Sequence, residues 1–146
     1  MTGFGDTGGN YWFGNEQLHT LTQDNKYKLR FELQSTIDGL WYWAEYDTFT
    51  VGDESTQYTL TVAGFSGNVI QDAMNGVNGI KFTTKDRDND VFFWNCAQWY
   101  GGFWFSSRCG WRYVNGNAVD CEFSWSYMSS HTDWALRTSR MWLVCR

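Results

Sequence analysis

"YKLRFEL" (Tyr27–Leu33) puts Tyr27, Leu29, Phe31 and Leu33 on one side and Lys28, Arg30 and Glu32 on the other. A period of two marks a half-buried strand. Downstream, Asp38-Gly39 is a hairpin turn signal. It leads into WYWAEYDTFTV (41–51), a second strand with rings on both faces, and YTLTVAGF (58–65), a third that alternates. Upstream, Asn15 is a candidate N-cap and Glu16 suits a first turn. They open a short helix over about 15–23 that places Leu18 and Leu21 on one face. The first half thus reads as an antiparallel meander with one helix packed on it. After Gly64, glycines punctuate short apolar pieces until MWLVC (141–145), which reads as a buried strand returning to the first sheet. The expected class is α+β: an antiparallel twisted sheet with a short helix, plus a loop-rich lobe. A single domain over 1–146 is expected, with a sheet lobe at about 1–75, the loop-rich lobe at about 76–140 and the returning strand at 141–146.

The chain of 146 residues has 11 basic and 16 acidic side chains, a formal charge of −5. That balance supplies neither the bulk basic field of a nucleic-acid binder nor a polybasic membrane patch. No apolar run reaches the roughly 18 residues of a membrane span. The opening MTGFGDTGGNYW lacks the charged start and apolar stretch of a signal peptide. Cys96, Cys109, Cys121 and Cys145 form no CxxC pair, so zinc-ribbon and thioredoxin patterns are weak. An even number of cysteines in a small, loop-rich, aromatic chain favours two disulfides and an oxidising, extracellular setting, with buried free thiols as the alternative. Of the three connectivities, sequence neighbours are preferred: Cys96–Cys109 and Cys121–Cys145. Each such loop would contribute about 3 kcal/mol on the chain-entropy model.

KDRDND (85–90) raises Asp86, Asp88 and Asp90 in alternation. Carboxylates this close repel one another unless a cation or solvent screens them. Hard oxygens on a loop suit Ca²⁺, which takes six to eight of them at about 2.3–2.6 Å, backbone carbonyls included. The EF-hand pattern fails, because its glycine position holds Val91 and its closing glutamate position holds Ala97. A solvated acidic turn is the plain alternative.

GGNYWFGNEQLHTLT (8–22), YKLRFEL (27–33), YTLTVAGFSGN (58–68), NGIKFTTKDRDND (78–90) and NCAQWYGGFWF (95–105) occur in order. Together they resemble the fibrinogen C-terminal (fibrinogen-like) domain of fibrinogen chains, ficolins and tachylectins. The likeness runs from about 8 to 112 and resumes near Trp125 and at RMWLV (140–144). It implies a Ca²⁺ site made of Asp88 and Asp90 side chains and the main-chain carbonyls of Phe92 and Trp94, with Asp86 behind them. Trp94 stands where the family often has glycine. The resemblance also implies the Cys96–Cys109 disulfide, a cis peptide at Arg108–Cys109, and a pocket for acetyl groups beside that disulfide. Its expected lining is Tyr100, Cys109, Gly110, Trp111, Trp125 and Tyr127, with Gly110 where many relatives have histidine. Ca²⁺ would then be structural, fixing the loop that shapes the pocket. The family's usual further N-terminal disulfide-bonded lobe has no counterpart in these residues, and the stretch from Cys109 to Trp125 is shorter than usual. Cys121 has no partner in the family pattern, and the placement of Asp120 near a pocket aspartate of fibrinogen is weakened by the shortening.

The rings have a plainer reading as the core of a lobe with few long strands, preferred for Trp104 and Trp125, whereas Tyr100 is expected to touch ligand. His19 and His131 match no metalloprotease pattern and His19 is expected on a helix surface; GFSG (64–67) falls short of GxSxG. Asp47, Asp53 and Glu54 read as exposed turn acids rather than a glycosidase pair. The expectation is therefore a secreted, non-enzymatic lectin for acetylated glycans or other acetyl-bearing ligands, with avidity from a homo-oligomer. A protein-binding or structural module is the alternative, and a hydrolase a more distant one.

Overall fold

The computed structural model describes residues 3–5, 11–106, 109 and 136–146. The described strands and helices run β1 (Phe4–Gly5), β2 (Tyr11–Trp12), α1 (Asn15–Thr22), β3 (Tyr27–Ser35), β4 (Trp41–Val51), β5 (Leu60–Gly67), β6 (Phe82–Thr83), α2 (Ala97–Tyr100), β7 (Phe103–Trp104) and β8 (Leu136–Cys145). A four-stranded antiparallel sheet in the order β5-β4-β3-β8 carries the fold, and β1-β2 and β6-β7 form small two-stranded ladders.

The alternation of β3 is realised. Leu29, Phe31 and Leu33 are buried, and their cross-strand partners on β4 are Tyr46, Ala44 and Tyr42. On the other side, β8 places Leu143, Met141 and Ser139 opposite the same three residues. The β3–β4 hairpin turns over Thr36–Asp38, with Gly39 at φ 71. Asp38 stabilises it by accepting from Leu40 N (2.9 Å) and from the Tyr42 hydroxyl (2.8 Å). The Leu40 N–H and then the Tyr42 hydroxyl hold the Asp38 carboxyl below its ordinary range.

On β4 the rings do occupy both faces. Ala44 and Tyr46 are buried, but so are Phe49 and Val51, a three-residue step that breaks strict alternation. The step coincides with Gly64 on β5, whose φ is +75 and which sits between the pairs Tyr46↔Phe65 and Thr48↔Ala63. A Cβ at Gly64 would meet the Cβ of Asp47 at 2.7 Å. Glycine therefore lets the strand pair kink there and turn Phe49 and Val51 into the core.

Four expectations need correction. Gly14, at φ 99, precedes α1 as N-cap, and Asn15 is the first helical residue. The Asn15 side chain is buried and its Oδ1 accepts from Trp12 Nε1 (3.2 Å), so it serves packing rather than capping. Leu18 is buried but Leu21 is 39% exposed, because the helix lays only a narrow stripe on β4. His19 is half-buried rather than on the surface: its Nδ1–H donates to Val51 O (2.8 Å), which anchors α1 to β4. Finally, β5 begins at Leu60, not Tyr58, because Gln57 and Tyr58 both adopt positive φ (59 and 53).

The returning strand is longer than expected, Leu136–Cys145, and it is an edge strand rather than a buried one. Its alternate residues Trp142 and Val144 are exposed, at 48% and 36%. Its apolar composition reflects one core face and one outward aromatic face.

Two outcomes follow for stability. Phe31→Ala empties a fully buried site and is expected to cost about 3–5 kcal/mol in denaturant unfolding. Asp38→Ala should lower the melting temperature at pH 7. Because the folded pKa of Asp38 is depressed, its contribution is present above the unfolded value of about 3.9 and fades as pH falls through the folded one. The gap between parent and variant melts should therefore close in acid.

Candidate ligand-binding and calcium loop

Residues 84–98 have little regular structure, and side-chain amides and carboxylates take over the work of backbone pairing. Asn89 Nδ2 donates to Phe82 O (2.7 Å), and Asn95 Nδ2 donates to Thr84 O (2.9 Å). Gln98 Nε2 donates to Lys85 O (2.7 Å). These bonds lash the loop to β6 and to the start of α2.

The three aspartates have separate tasks. Asp86 Oδ1 accepts from the Thr84 hydroxyl (2.7 Å). That contact, first among the causes, lowers the carboxyl pKa of Asp86. Asp88 is exposed, and its Oδ1 accepts from Asp90 N (3.2 Å). Asp90 is half-buried; Oδ1 accepts from Phe92 N (2.9 Å) and Oδ2 from Cys96 N (2.9 Å). Burial pushes the Asp90 pKa up, the two N–H bonds oppose it, and the charge of Asp88 adds to the rise. Among the described residues, no three His, Cys, Asp or Glu side chains gather as a metal-holding group. A cation here would need main-chain carbonyls beside the two carboxylates.

Cys96 and Cys109 are joined in a disulfide, and both are buried. Cys109 has φ +56, a left-handed conformation uncommon for a side-chain-bearing residue and one that clusters at ligand sites. Tyr100 ends α2, half-buried and packed against the core. Gly110, Trp111, Trp125, Tyr127, Cys121, Asp120, His131 and the Arg108–Cys109 bond lie outside the described residues. Cys145, at the end of β8, is exposed and has no disulfide partner among the described residues; its expected partner Cys121 lies outside them.

The aromatic run divides sharply. Phe103, Trp104 and Phe105 are core residues. Trp104 packs at 4.9 Å from Phe82, 6.4 Å from Trp12 and 6.4 Å from Phe49, and its Nε1 donates to Tyr58 O (2.8 Å). By contrast, Val91, Phe93 and Trp99 are 71%, 78% and 64% exposed, and Trp94 is 49% exposed. Phe92, Phe93 and Trp94 contact one another in tilted and edge-to-face arrangements with centroids 4.0–4.9 Å apart. This outward cluster on the acidic loop was not singled out from sequence; the unbroken VFFW run (91–94) beside DRDND was its only signal.

Asp47, Asp53 and Glu54 are exposed as expected, but Asp47 lies within β4 rather than in a turn. Asp47 pairs with Lys28 (2.7 Å), Asp53 caps the short 3-10 turn Glu54–Thr56 by accepting from Thr56 N (3.0 Å), and Glu54 pairs with Arg87 (3.4 Å).

Known proteins agree with this architecture. The family model "Fibrinogen beta and gamma chains, C-terminal globular domain" matches residues 1–142, and the chain belongs to that family. Protein scabrous of Drosophila melanogaster is 38% identical over 140 residues, 95% of this chain and 17% of that protein. The fibrinogen-like globe domain of human ANGPTL2 superposes with a TM-score of 0.84 at 31% identity, over 96% of this chain and 68% of that one. Lamprey fibrin D-dimer, solved with the peptide ligand Gly-His-Arg-Pro-amide, superposes with a TM-score of 0.77 at 27% identity, over 98% of this chain and 54% of that one. The chain spans less than half the length of the relatives it matches by sequence. No described helix is long and apolar enough to cross a membrane.

Trp104→Phe keeps the ring but removes the donor to the Tyr58 carbonyl. It is expected to cost about 1–3 kcal/mol in denaturant unfolding, the penalty of a buried acceptor left unmade.

Proposed function

We propose that this domain is a secreted, non-enzymatic recognition module, stabilised by Ca²⁺, that binds acetylated sugars beside the Cys96–Cys109 disulfide. The observation that carries the reading is the double acceptance by Asp90: one carboxylate couples the acidic loop, through Phe92 N, to the ligand-side cystine, through Cys96 N. Any ion that fixes Asp90 also fixes the disulfide.

The donor chemistry fits Ca²⁺. Asp88 and Asp90 offer hard carboxylate oxygens, and a neighbouring cation would favour the ionised Asp90 that burial disfavours. The carbonyls of Phe92 and Trp94 would complete the set. In this reading the ion supplies charge neutralisation and loop rigidity and never touches the sugar. Tyr100 and the backbone of Cys109 would form one wall of the pocket, with Gly110, Trp111, Trp125 and Tyr127 completing it. Rings provide flat apolar faces and polar tips that orient an acetamido group. Single-site affinity is expected to be weak and raised by clustering of like chains.

A second reading, binding to a protein or peptide, is favoured by the exposed Phe93–Trp94–Trp99 patch and by the peptide seen with the lamprey relative. A glycan array with and without a chelator discriminates between the two.

Calcium at one hundred times its dissociation constant should raise stability by about 2.7 kcal/mol. Asp88→Ala should abolish that rise while leaving the calcium-free melt nearly unchanged. Asp90→Ala should lower both melts, since it also removes two backbone bonds. In calorimetry, N-acetylglucosamine should bind the parent, and Tyr100→Ala should weaken that binding without unfolding the domain. A calcium-independent melt would refute the ion site, and a flat titration would refute the sugar pocket.

A further inference from the structure

The face of the main sheet turned away from the core is not a plain solvated surface. Strands β8, β3 and β4 stack their outward residues in register: Trp142 beside Arg30 beside Glu45, Arg140 beside Glu32 beside Trp43, and Thr138 beside Gln34 beside Trp41. Three indoles thus stand on a surface where strand alternation alone calls for polar residues. Trp41 and Trp142 are 42% and 48% exposed, and Trp43 is half-buried. Beside Trp41 and Trp43 lies a cleft of about 260 Å³ lined by Arg30, Glu32, Trp41, Tyr42, Trp43 and Arg140.

The two arginines of the cleft are in different electrostatic states. The Arg30 guanidinium lies 4.7 Å from the Trp43 centroid and is neutralised by Glu32 (3.3 Å) and Glu45 (3.5 Å). The remaining oxygen of Glu32 accepts from Trp142 Nε1 (3.1 Å). The Arg140 guanidinium lies 5.0 Å from the Trp41 centroid, but it has no carboxylate or other acceptor among the described residues. The indole holds it in place while its donors stay uncommitted: its cross-strand partner Glu32 spends one oxygen on Arg30 and the other on Trp142, and Gln34 and Thr138 in the adjacent Trp41 row carry no charge. A planar fork of N–H donors pre-positioned this way matches a bidentate anion.

We propose that this cleft is a second binding site, for an anionic saccharide. The C–H face of a pyranose would lie against the Trp41 and Trp43 indoles, and its carboxylate or sulfate would pair with Arg140. Three features set the ligand class. The indoles present flat apolar surface, which suits a sugar ring. The unpaired guanidinium demands a negative charge, which a neutral acetylated sugar lacks. The volume is below the roughly 300 Å³ at which drug-sized pockets begin, room for one or two rings rather than an extended peptide. The site shares no residue with the Asp88–Asp90 loop, so it operates without Ca²⁺.

The test is calorimetric titration of the whole chain, with chelator present, using a hyaluronan tetrasaccharide (carboxylate only), a sulfated disaccharide (sulfate only), chitotetraose (neutral) and a tetraglutamate peptide. One or both anionic sugars should bind at least about tenfold more tightly than chitotetraose and tetraglutamate, and added salt should weaken that binding. Which anionic probe is preferred tells carboxylate from sulfate. Arg140→Gln and Trp41→Ala should each weaken the binding about tenfold, the scale of one charge-assisted pair or one ring contact. Both side chains are exposed, so the variants should keep the parent's circular dichroism. Arg140→Lys, which keeps the charge but not the fork, should restore part of the loss and covers the case of a misfolded Trp41 variant. Absence of binding to both anionic sugars, equal binding of chitotetraose or tetraglutamate, or affinity unmoved by Arg140→Gln would each overturn the proposal.

Discussion

Strand β3 is hydrogen-bonded along both edges, to β4 on one side and to β8 on the other, and everything else hangs from that arrangement. Pairing with β4 is local and follows from a short hairpin. Pairing with β8 joins residues about a hundred positions apart, since Leu29 faces Leu143 and Ser35 faces Leu136. Such a contact carries a loop-closure cost that grows only slowly with length. It is repaid because Leu29, Phe31 and Leu33 then lie wholly out of water.

Among the described residues, the irregular half is joined to the sheet by specific bonds rather than by extended ladders. Trp104 is the main one, since its ring is packed among Trp12, Phe49 and Phe82 while its N–H reaches Tyr58 O. Within the loop, Asp90 plays the corresponding role by accepting from Phe92 and Cys96. Side-chain acceptors there do what ladder pairing does in the sheet. The same economy leaves a half-buried carboxylate next to another acid, a tension a cation would relieve.

Much of this was legible in the residues themselves. Alternation located β3, and Asp38-Gly39 marked the turn that leads from it into β4. The NCA motif and its spacing gave the Cys96–Cys109 bond by family resemblance. Other features were not legible because they depend on neighbours far along the chain. Leu21 reads like Leu18 by helical period, but only Leu18 meets β4. Asn15 reads as a cap by type, yet Gly14 takes that position because the entering backbone needs φ 99. MWLVC reads as buried, yet β8 lies at an edge, so Trp142 and Val144 face outward.

The sequence by itself determined which segments alternate, where the chain must turn, and which oxygens and sulfurs could be brought close, because periodicity, glycine and residue chemistry are local properties. Only the tertiary structure decided which rings are core and which are surface, since Trp104 and Trp99 are chemically alike and differ only in what packs against them. It also decided that Arg30 is paired with carboxylates while Arg140, among the described residues, is not. Strand register across β8, β3 and β4 sets those partners, and no single segment encodes that register.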